Sequence, residues 1–526
     1  MLSVMPRTVI EVDGIRPFQK ATLDALETSA KIIMVEAPVG SGKSHIVRQA
    51  VERWNGPVVL TYPTKLLMDN QMTALKQDFP NSVMWPYESG IPKNNSPTIF
   101  NYSSDTLIAF LKRQNADYRL DKSELLDKVL HQHLFSSRKN ILLTSPDVLH
   151  ILFNMEAYRG SHRLKSLLTK ALVVFDEFHL YVGLKHFAEL IENMFQGGMG
   201  KVVLLSATPV VSSAIAGLFQ KYGHALINFE NSIGGPDDRI FNYPLHLEFV
   251  NCRYTKRALL TAILKEYIPK LPKPLAIILD SVFRLRHVMP ALRKEFGSTW
   301  TIIEYSGYRK DLRKLDNKTI LVGTSSIEVG INMVFKSLIT EAAYWTSAIQ
   351  RIGRAGRFCE GNVIVLTTRN MLPYIADENA EITRDALEND LLKDALKDIR
   401  MSYVCGDMFR GDSYNFLLYD RTEKKLISYS EAIFAMYDVG KIINDWQILG
   451  ANRKREILER YVESDDEIAE ILLRDRLYPF WGIVEGSLRD RYERISTHAE
   501  ADELTILCNE SNSRFIFYGG GLDVEH

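Results

Sequence analysis

The stretch "KIIMVEAPVGSGKSHI", Lys31 to Ile46, decides how the rest of the chain is read. Its first part is a short run of β-branched and other apolar residues, the signature of a buried strand. Gly40, Ser41 and Gly42 then break the run, and a helix-forming segment follows. The spacing Ala37-x-x-x-x-Gly42-Lys43-Ser44 fits a P-loop with Ala in the first glycine position. Backbone N–H groups of such a loop curl around phosphate oxygens at a helix N-terminus. In that pattern Lys43 reaches the β- and γ-phosphates, and the Ser44 hydroxyl holds Mg²⁺.

Working outward, similar short apolar runs recur with longer helix-like segments between them. "GPVVLTYP" (56–63), "NILLTSP" (140–146), "ALVVFDE" (171–177) and "KVVLLSATP" (201–209) join the first. Strands apolar on both faces, separated by helices, indicate a parallel sheet covered on both sides. The rhythm restarts after about residue 240 with "PLAIILDS", "WTIIEYSG", "KTILVGTSS", "SLITEAAYW" and "NVIVLTTR". The fold class is therefore α/β: two tandem parallel-sheet domains, 1–235 and 236–371, with "NSIGGPDDR" (231–239) as the linker. Residues 90–140 exceed an ordinary connection and read as an insertion. From 372 to 526 the texture becomes a helical connector and a smaller, largely helical C-terminal domain. There Ile382, Leu387, Leu391, Leu392, Ala395 and Ile399 fall near one helical face.

The formal net charge of −1 argues against a uniformly basic surface, but a local groove can be basic on a neutral molecule. The clusters Arg284–Arg286, Arg309–Lys314 and Arg453–Arg455 read as solvated helix faces. Cys252, Cys359, Cys405 and Cys508 are scattered without a C-x-x-C pair, which disfavours a zinc ribbon, an iron–sulfur cluster or a disulfide scaffold. Reduced thiols fit a cytoplasmic protein. The N-terminus lacks the pattern of a signal peptide, and no apolar run is long enough to span a membrane. "HQH", His131 to His133, reads as a polar segment rather than a metal pair.

Two further stretches carry chemistry. In "ALVVFDEFHLY" the strand ends in acids instead of turn residues. A triphosphate with Mg²⁺ needs a second anchor, which Asp176 supplies through water. Glu177 is then the base that takes a proton from the attacking water. His179 is placed to hydrogen-bond a neighbouring motif, with Ser206 and Thr208 of "LLSATPV" as partners that report the nucleotide state. In "SAIQRIGRAGR", Gln350, Arg351, Arg354 and Arg357 recur at helical spacing, with Gly353 and Gly356 permitting close approach. Arg354 and Arg357 can face one triphosphate across a domain cleft and neutralise the charge of its transition state.

With these motifs in place, residues 16–366 resemble the DExH-box helicases and translocases of superfamily 2, whose domains are RecA-like. In "RPFQ" the resemblance makes Gln19 the adenine reader, with Phe18 packing nearby. "TYPTKLLMDNQ", "LLTSPDVL", "ILDSVFR" and "TSSIEVGIN" resemble the family's strand-contact motifs. It implies that Pro63, Thr64, Lys65, Thr144, Pro146, Asp147, Ser281 and Thr324 line a nucleic-acid path. Gly330 and Asn332 would approach the nucleotide from the second domain.

Within the superfamily the chain looks most like the helicase subunit of type I CRISPR interference, in the split form without its HD nuclease. Gln19 lies near the start, and no His-Asp dipeptide occurs. The resemblance implies ATP and Mg²⁺, single-stranded DNA, a guide-RNA surveillance complex, a separate nuclease subunit and 3′ to 5′ movement. "SSIEVGIN" departs from the acidic version common in those helicases and also suits DNA-repair and RNA DExH helicases. A third reading is an ATP-gated assembly subunit that clamps a partner without processive movement.

Overall fold

The computed structural model describes residues 2–63, 65–88, 96–103, 106, 110, 139–153, 165–166, 168–182, 187–209, 211, 213–252, 257–279, 282–305, 316–324, 327, 334–342, 345–367, 371–375, 380–396, 417–420, 425–428 and 515–517. The chain divides into two units. One is built on Arg7–Asn242; the other on Met1–Pro6, Tyr243–Glu328 and residues from Met333 on.

The first unit is a sheet of eight strands, in the order β10(His224–Ile227)-β3(Ile32–Glu36)-β9(Lys201–Ser206)-β8(Leu172–Asp176)-β4(Val58–Thr61)-β7(Asn140–Thr144)-β6(Thr98–Asn101)-β5(Val83–Trp85). Every neighbouring pair is parallel. The pleat divides the side chains as alternation demands. Ile32, Met34, Val59, Val173, Phe175, Val202 and Leu204 join one buried cluster, while Ile33, Val35, Val58, Leu60, Leu172, Val174, Val203 and Leu205 join the other. Both faces are covered, which explains the unbroken apolar runs. Because all strands run one way, the loops after β3, β4, β7, β8 and β9 gather at one sheet edge, and these loops hold the singled-out motifs. A small ribbon, β2(Arg7–Val9) with β11(Arg239–Asn242), closes the unit. The segment that follows the Gly-Gly-Pro stretch is thus a paired strand.

The second unit has an eight-stranded sheet ordered β14(Thr301–Tyr305)-β15(Thr319–Gly323)-β13(Leu275–Ile278)-β16(Ser337–Glu341)-β17(Gly361–Thr367)-β12(Leu245–Asn251)-β1(Leu2–Val4)-β18(Glu381–Ile382). The strands from β14 to β12 are parallel. β1 runs antiparallel to β12, so the first residues of the chain complete this sheet. Ile382 lies in a strand parallel to β1, while Leu387, Leu391, Leu392 and Ala395 are buried from a π-helical stretch, Ala386–Leu392, and the turn after it. Ile399 lies outside the described residues.

The reading of the basic clusters is overturned at one residue. Arg284 is not part of a solvated face: it is fully buried and ion-paired to Glu341 at 2.8 Å. Beyond Leu396 the described residues form a three-stranded antiparallel sheet, β20(Lys425–Ser428)-β19(Leu417–Asp420)-β21(Phe515–Phe517). Arg309–Lys314, Arg453–Arg455, the His131–His133 pair, Cys405 and Cys508 lie outside the described residues, and Cys252 and Cys359 are free thiols. Among the described residues no helix is long and apolar enough to cross a membrane, and no His, Cys, Asp or Glu cluster suits a metal.

Candidate nucleotide site

β3 delivers the loop expected to hold phosphate to the sheet edge, and α2(Lys43–Arg53) leaves from it. Gly40 and Gly42 have φ of +84° and +89°, left-handed values that favour residues without a Cβ. A Cβ on Gly42 would also sit 2.8 Å from Gln19 Nε2. Lys43 Nζ donates to the carbonyls of Ala37 at 2.7 Å and Pro38 at 3.2 Å, bridging the loop it follows. Ser41 is buried with its hydroxyl unpartnered, while Ser44 is exposed at the helix start. Ala37, in the first glycine position, is buried against the core.

Two side chains hold the loop from behind. α1(Pro17–Ala25) begins with Pro, and Gln19 in its first turn accepts from Arg16 N at 2.9 Å and donates to Gly42 O at 3.0 Å. Arg16 donates to the Ser41 carbonyl, and its guanidinium lies 5.6 Å from the Phe241 ring. Burial pulls the Arg16 pKa below its ordinary value; nearby Glu11 opposes that shift. Phe18 is buried edge-on against Phe229. Asn242 approaches from the last residue of the unit, its amide donating to Val39 O at 3.4 Å. Sequence reading missed Arg16 and Asn242. For Arg16 a signal existed, since a cation directly before a helix-opening proline is the wrong charge for a helix N-terminus unless it has another partner.

β8 ends at Asp176, which is half-buried. Its Oδ1 accepts from the Glu177 N–H at 3.1 Å, at the start of a tight turn. Glu177 has φ +51°, uncommon for a residue with a Cβ, and strain of this kind gathers at functional sites. Phe178 anchors the turn, its ring in the core and its N–H donating to Leu205 O at 3.1 Å. His179 then opens α5(His179–Val182), with Nδ1 2.8 Å from Ser206 Oγ and 3.6 Å from Glu177 Oε2. Ser206 Oγ also accepts from Thr208 N at 2.9 Å, while the Thr208 hydroxyl is buried without a partner. Tyr62 belongs to the same neighbourhood. Its phenol is pushed up, first by burial and then by the Asp176 charge.

The His179 pKa is pulled down to about 4 by burial, with Glu177 raising it and Lys43 lowering it. The imidazole is therefore neutral near pH 7. Between about pH 6.5 and 4 the unfolded chain binds a proton here that the folded chain does not. Stability is thus full above pH 6.5 and falls with pH by up to about 1.4 kcal/mol per unit. His179→Asn is expected to flatten that part of the curve, measured as thermal midpoint against pH. An unchanged slope would count against a buried neutral imidazole.

The residues expected on a nucleic-acid path are divided. Pro63 is half-buried after β4, and Lys65 opens α3(Lys65–Asp78). Pro146 and Asp147 open α4(Pro146–Phe153). Thr144 is buried, with its hydroxyl donating to Tyr102 O at 2.9 Å. In the second unit Thr324 is buried with an unpartnered hydroxyl. Thr64, Ser281, Gly330 and Asn332 lie outside the described residues.

Also in the second unit, α10(Trp345–Ile352) carries Gln350 and Arg351, both buried. Arg351 Nη1 donates to Glu341 O at 2.7 Å. The helix stops at Ile352, so the expected helical spacing does not extend through Arg354 and Arg357. They sit in the following turn, where Arg357 Nε donates to Gly353 O at 3.1 Å. The turn is tight at Gly356, which has φ +68°, and a Cβ there would meet Leu245 Cδ2 at 2.7 Å, Arg384 Nη2 at 2.8 Å and Tyr243 O at 3.0 Å. Gly356→Ala should cost about 2–3 kcal/mol through strain and overpacking. A thermal midpoint equal to wild type would refute that packing.

Residues 16–215 match the DEAD/DEAH box helicase family. Residues 276–360 match the family described as CRISPR-associated nuclease/helicase Cas3, C-terminal. No curated protein matches. Among solved structures, the DUF1998 helicase MrfA bound to DNA is 18% identical with a TM-score of 0.47, covering 70% of this chain and 53% of its own. T. fusca Cas3 with AMPPNP is 18% identical with a TM-score of 0.48, covering 69% of this chain and 48% of its own. Mss116p bound to ssRNA and AMP-PNP is 14% identical with a TM-score of 0.48, covering 91% and 92%. The chain spans 53% and 62% of the two MrfA chains it is similar to.

Proposed function

We propose that this chain, which carries a DEAD/DEAH helicase domain and a Cas3-like segment after it, is an ATP-dependent translocase on single-stranded DNA. The observation that carries the reading is the sheet edge of the first unit. There one P-loop, one Asp-Glu pair and a His179–Ser206–Thr208 chain meet on parallel strands.

The chemistry follows from the residues. The Lys43 ammonium, which bridges two loop carbonyls, exchanges them for the β- and γ-phosphates of ATP. The left-handed glycines turn backbone N–H groups toward the same phosphates. Ser44, exposed at the helix start, and Asp176 are the oxygen donors suited to Mg²⁺, which when bound neutralises charge on the phosphate oxygens. Glu177 accepts the proton of the attacking water. Its neighbour His179, neutral and bonded to Ser206, links the state of the base to the loop after β9. Arg354 and Arg357 are assigned the transition-state charge, and Gln350 the positioning of that group.

Pro63, Thr64, Lys65, Thr144, Pro146, Asp147, Ser281 and Thr324 remain the proposed strand contacts, through segments more than through each side chain. Thr144 spends its hydroxyl on Tyr102 O. The further setting proposed is type I CRISPR interference in the cytoplasm, with a guide-RNA complex and a separate HD-type nuclease. The Cas3-like match over 276–360 favours it. The runner-up is a DNA-repair or RNA helicase with the same motor.

Strand displacement from tailed duplexes tests the reading. ATP-dependent release from a DNA substrate with a 3′ single-stranded tail, and not from an RNA one, is expected. Release only from RNA would replace this reading with the runner-up. ATP hydrolysis stimulated by a protein partner, with no displacement at all, would favour an assembly clamp.

A further inference from the structure

Glu341 closes β16, and two buried arginines meet it from different elements of the second unit. Its carboxylate pairs with Arg284 at 2.8 Å, both side chains having no exposure. Its backbone carbonyl accepts from Arg351 at 2.7 Å and from Thr340 Oγ1 at 2.9 Å. Arg284 lies in the first turn of α9(Val282–Phe296), where a cation opposes the helix dipole. The pair is also a costly way to fill a core, because apolar residues of similar size often pack there at equal or better stability. Cys252 feels the same charges; burial lifts its thiol to about 11, Glu341 adds to that and Arg284 works against it, so it stays protonated.

We infer that the Arg284–Glu341 pair is a positioning device, coupling the start of α9 to the helix that carries Gln350 and Arg351 and the arginine turn that follows. The inference rests on the functional reading above. The sequence order supports it. α9 begins directly after Asp280–Ser281, in the stretch assigned to strand contact, and β16 leads directly toward α10. Glu341 holds both: its side chain fixes the first, and its main chain fixes Arg351 of the second. A shift of α9 pulls on the carboxylate, and the carbonyl of the same residue carries the movement to Arg351.

The test is the double replacement R284M/E341L, which removes both charges and leaves neither orphaned. The expected protein keeps the wild-type thermal midpoint and binds a fluorescent ATP analogue normally. Its strand-stimulated kcat falls by about tenfold to a hundredfold, as for catalytic groups displaced by a fraction of a bond length. Amide exchange quickens over 345–357 while β13 and β17 stay protected. A double variant with wild-type kcat and unchanged exchange overturns the inference. If it does not fold, Glu341→Gln decides by exchange: loss confined to 345–357 supports positioning, and uniform loss across the sheet overturns it. The exchange measurement needs no turnover. A wild-type protein that never hydrolyses ATP would thus refute the functional reading separately.

Discussion

Replacing Glu177 with Gln is expected to lower ATP turnover by about 10²–10⁴-fold while leaving ATP binding intact. The amide keeps the size and shape of the side chain, so the left-handed turn at φ +51° is retained. What it loses is the capacity to accept a proton from water. The Glu177 charge also raises the His179 pKa, so the substitution leaves that imidazole still more firmly neutral. His179 should keep its 2.8 Å contact with Ser206, and the loop after β9 its position. The variant should therefore accumulate in the ATP-bound state and hold single-stranded DNA longer than wild type. Faster release of DNA, or turnover near wild type, would take the base assignment away from Glu177.

Lys43→Ala should reduce turnover more than a hundredfold, through loss of charge-assisted bonds to phosphate. It should weaken ATP binding as well, which separates it from the Glu177 variant. Fold stability should change little. The ammonium bridges the Ala37 and Pro38 carbonyls at a half-buried position where water can replace it. Binding of an ATP analogue at wild-type affinity would show that the loop does not hold phosphate.

Much of the fold was legible because it rests on local pattern. Strands buried on both faces must be apolar through their middle, and β3, β4, β7, β8 and β9 carry polar residues only at their ends. The glycines at 40 and 42 announced the loop between strand and helix, and the acids at 176 and 177 announced the end of a strand. What the sequence concealed depends on distant partners. Arg284 stands beside another cation, Arg286, and reads as solvent-facing until Glu341 is found against it. Arg16 looks like an ordinary residue before a helix, yet it holds the Ser41 carbonyl. Thr144 sits in a motif assigned to strand contact, but its hydroxyl is consumed inside the sheet. Leu2–Val4 carries no mark that it will pair with Leu245–Leu247. The spacing of Arg351, Arg354 and Arg357 suggested one helix face; the helix stops at Ile352 and the chain turns through Gly356 at φ +68°, which periodicity alone does not weigh.

The most direct test is the ATP hydrolysis rate of the wild-type protein measured side by side without polymer and with single-stranded DNA, duplex DNA and RNA. A slow basal rate, raised at least about tenfold by single-stranded DNA alone and abolished by Lys43→Ala, is the predicted result. A rate that no polymer changes, or that survives the loss of Lys43, would contradict a strand-driven motor at this P-loop.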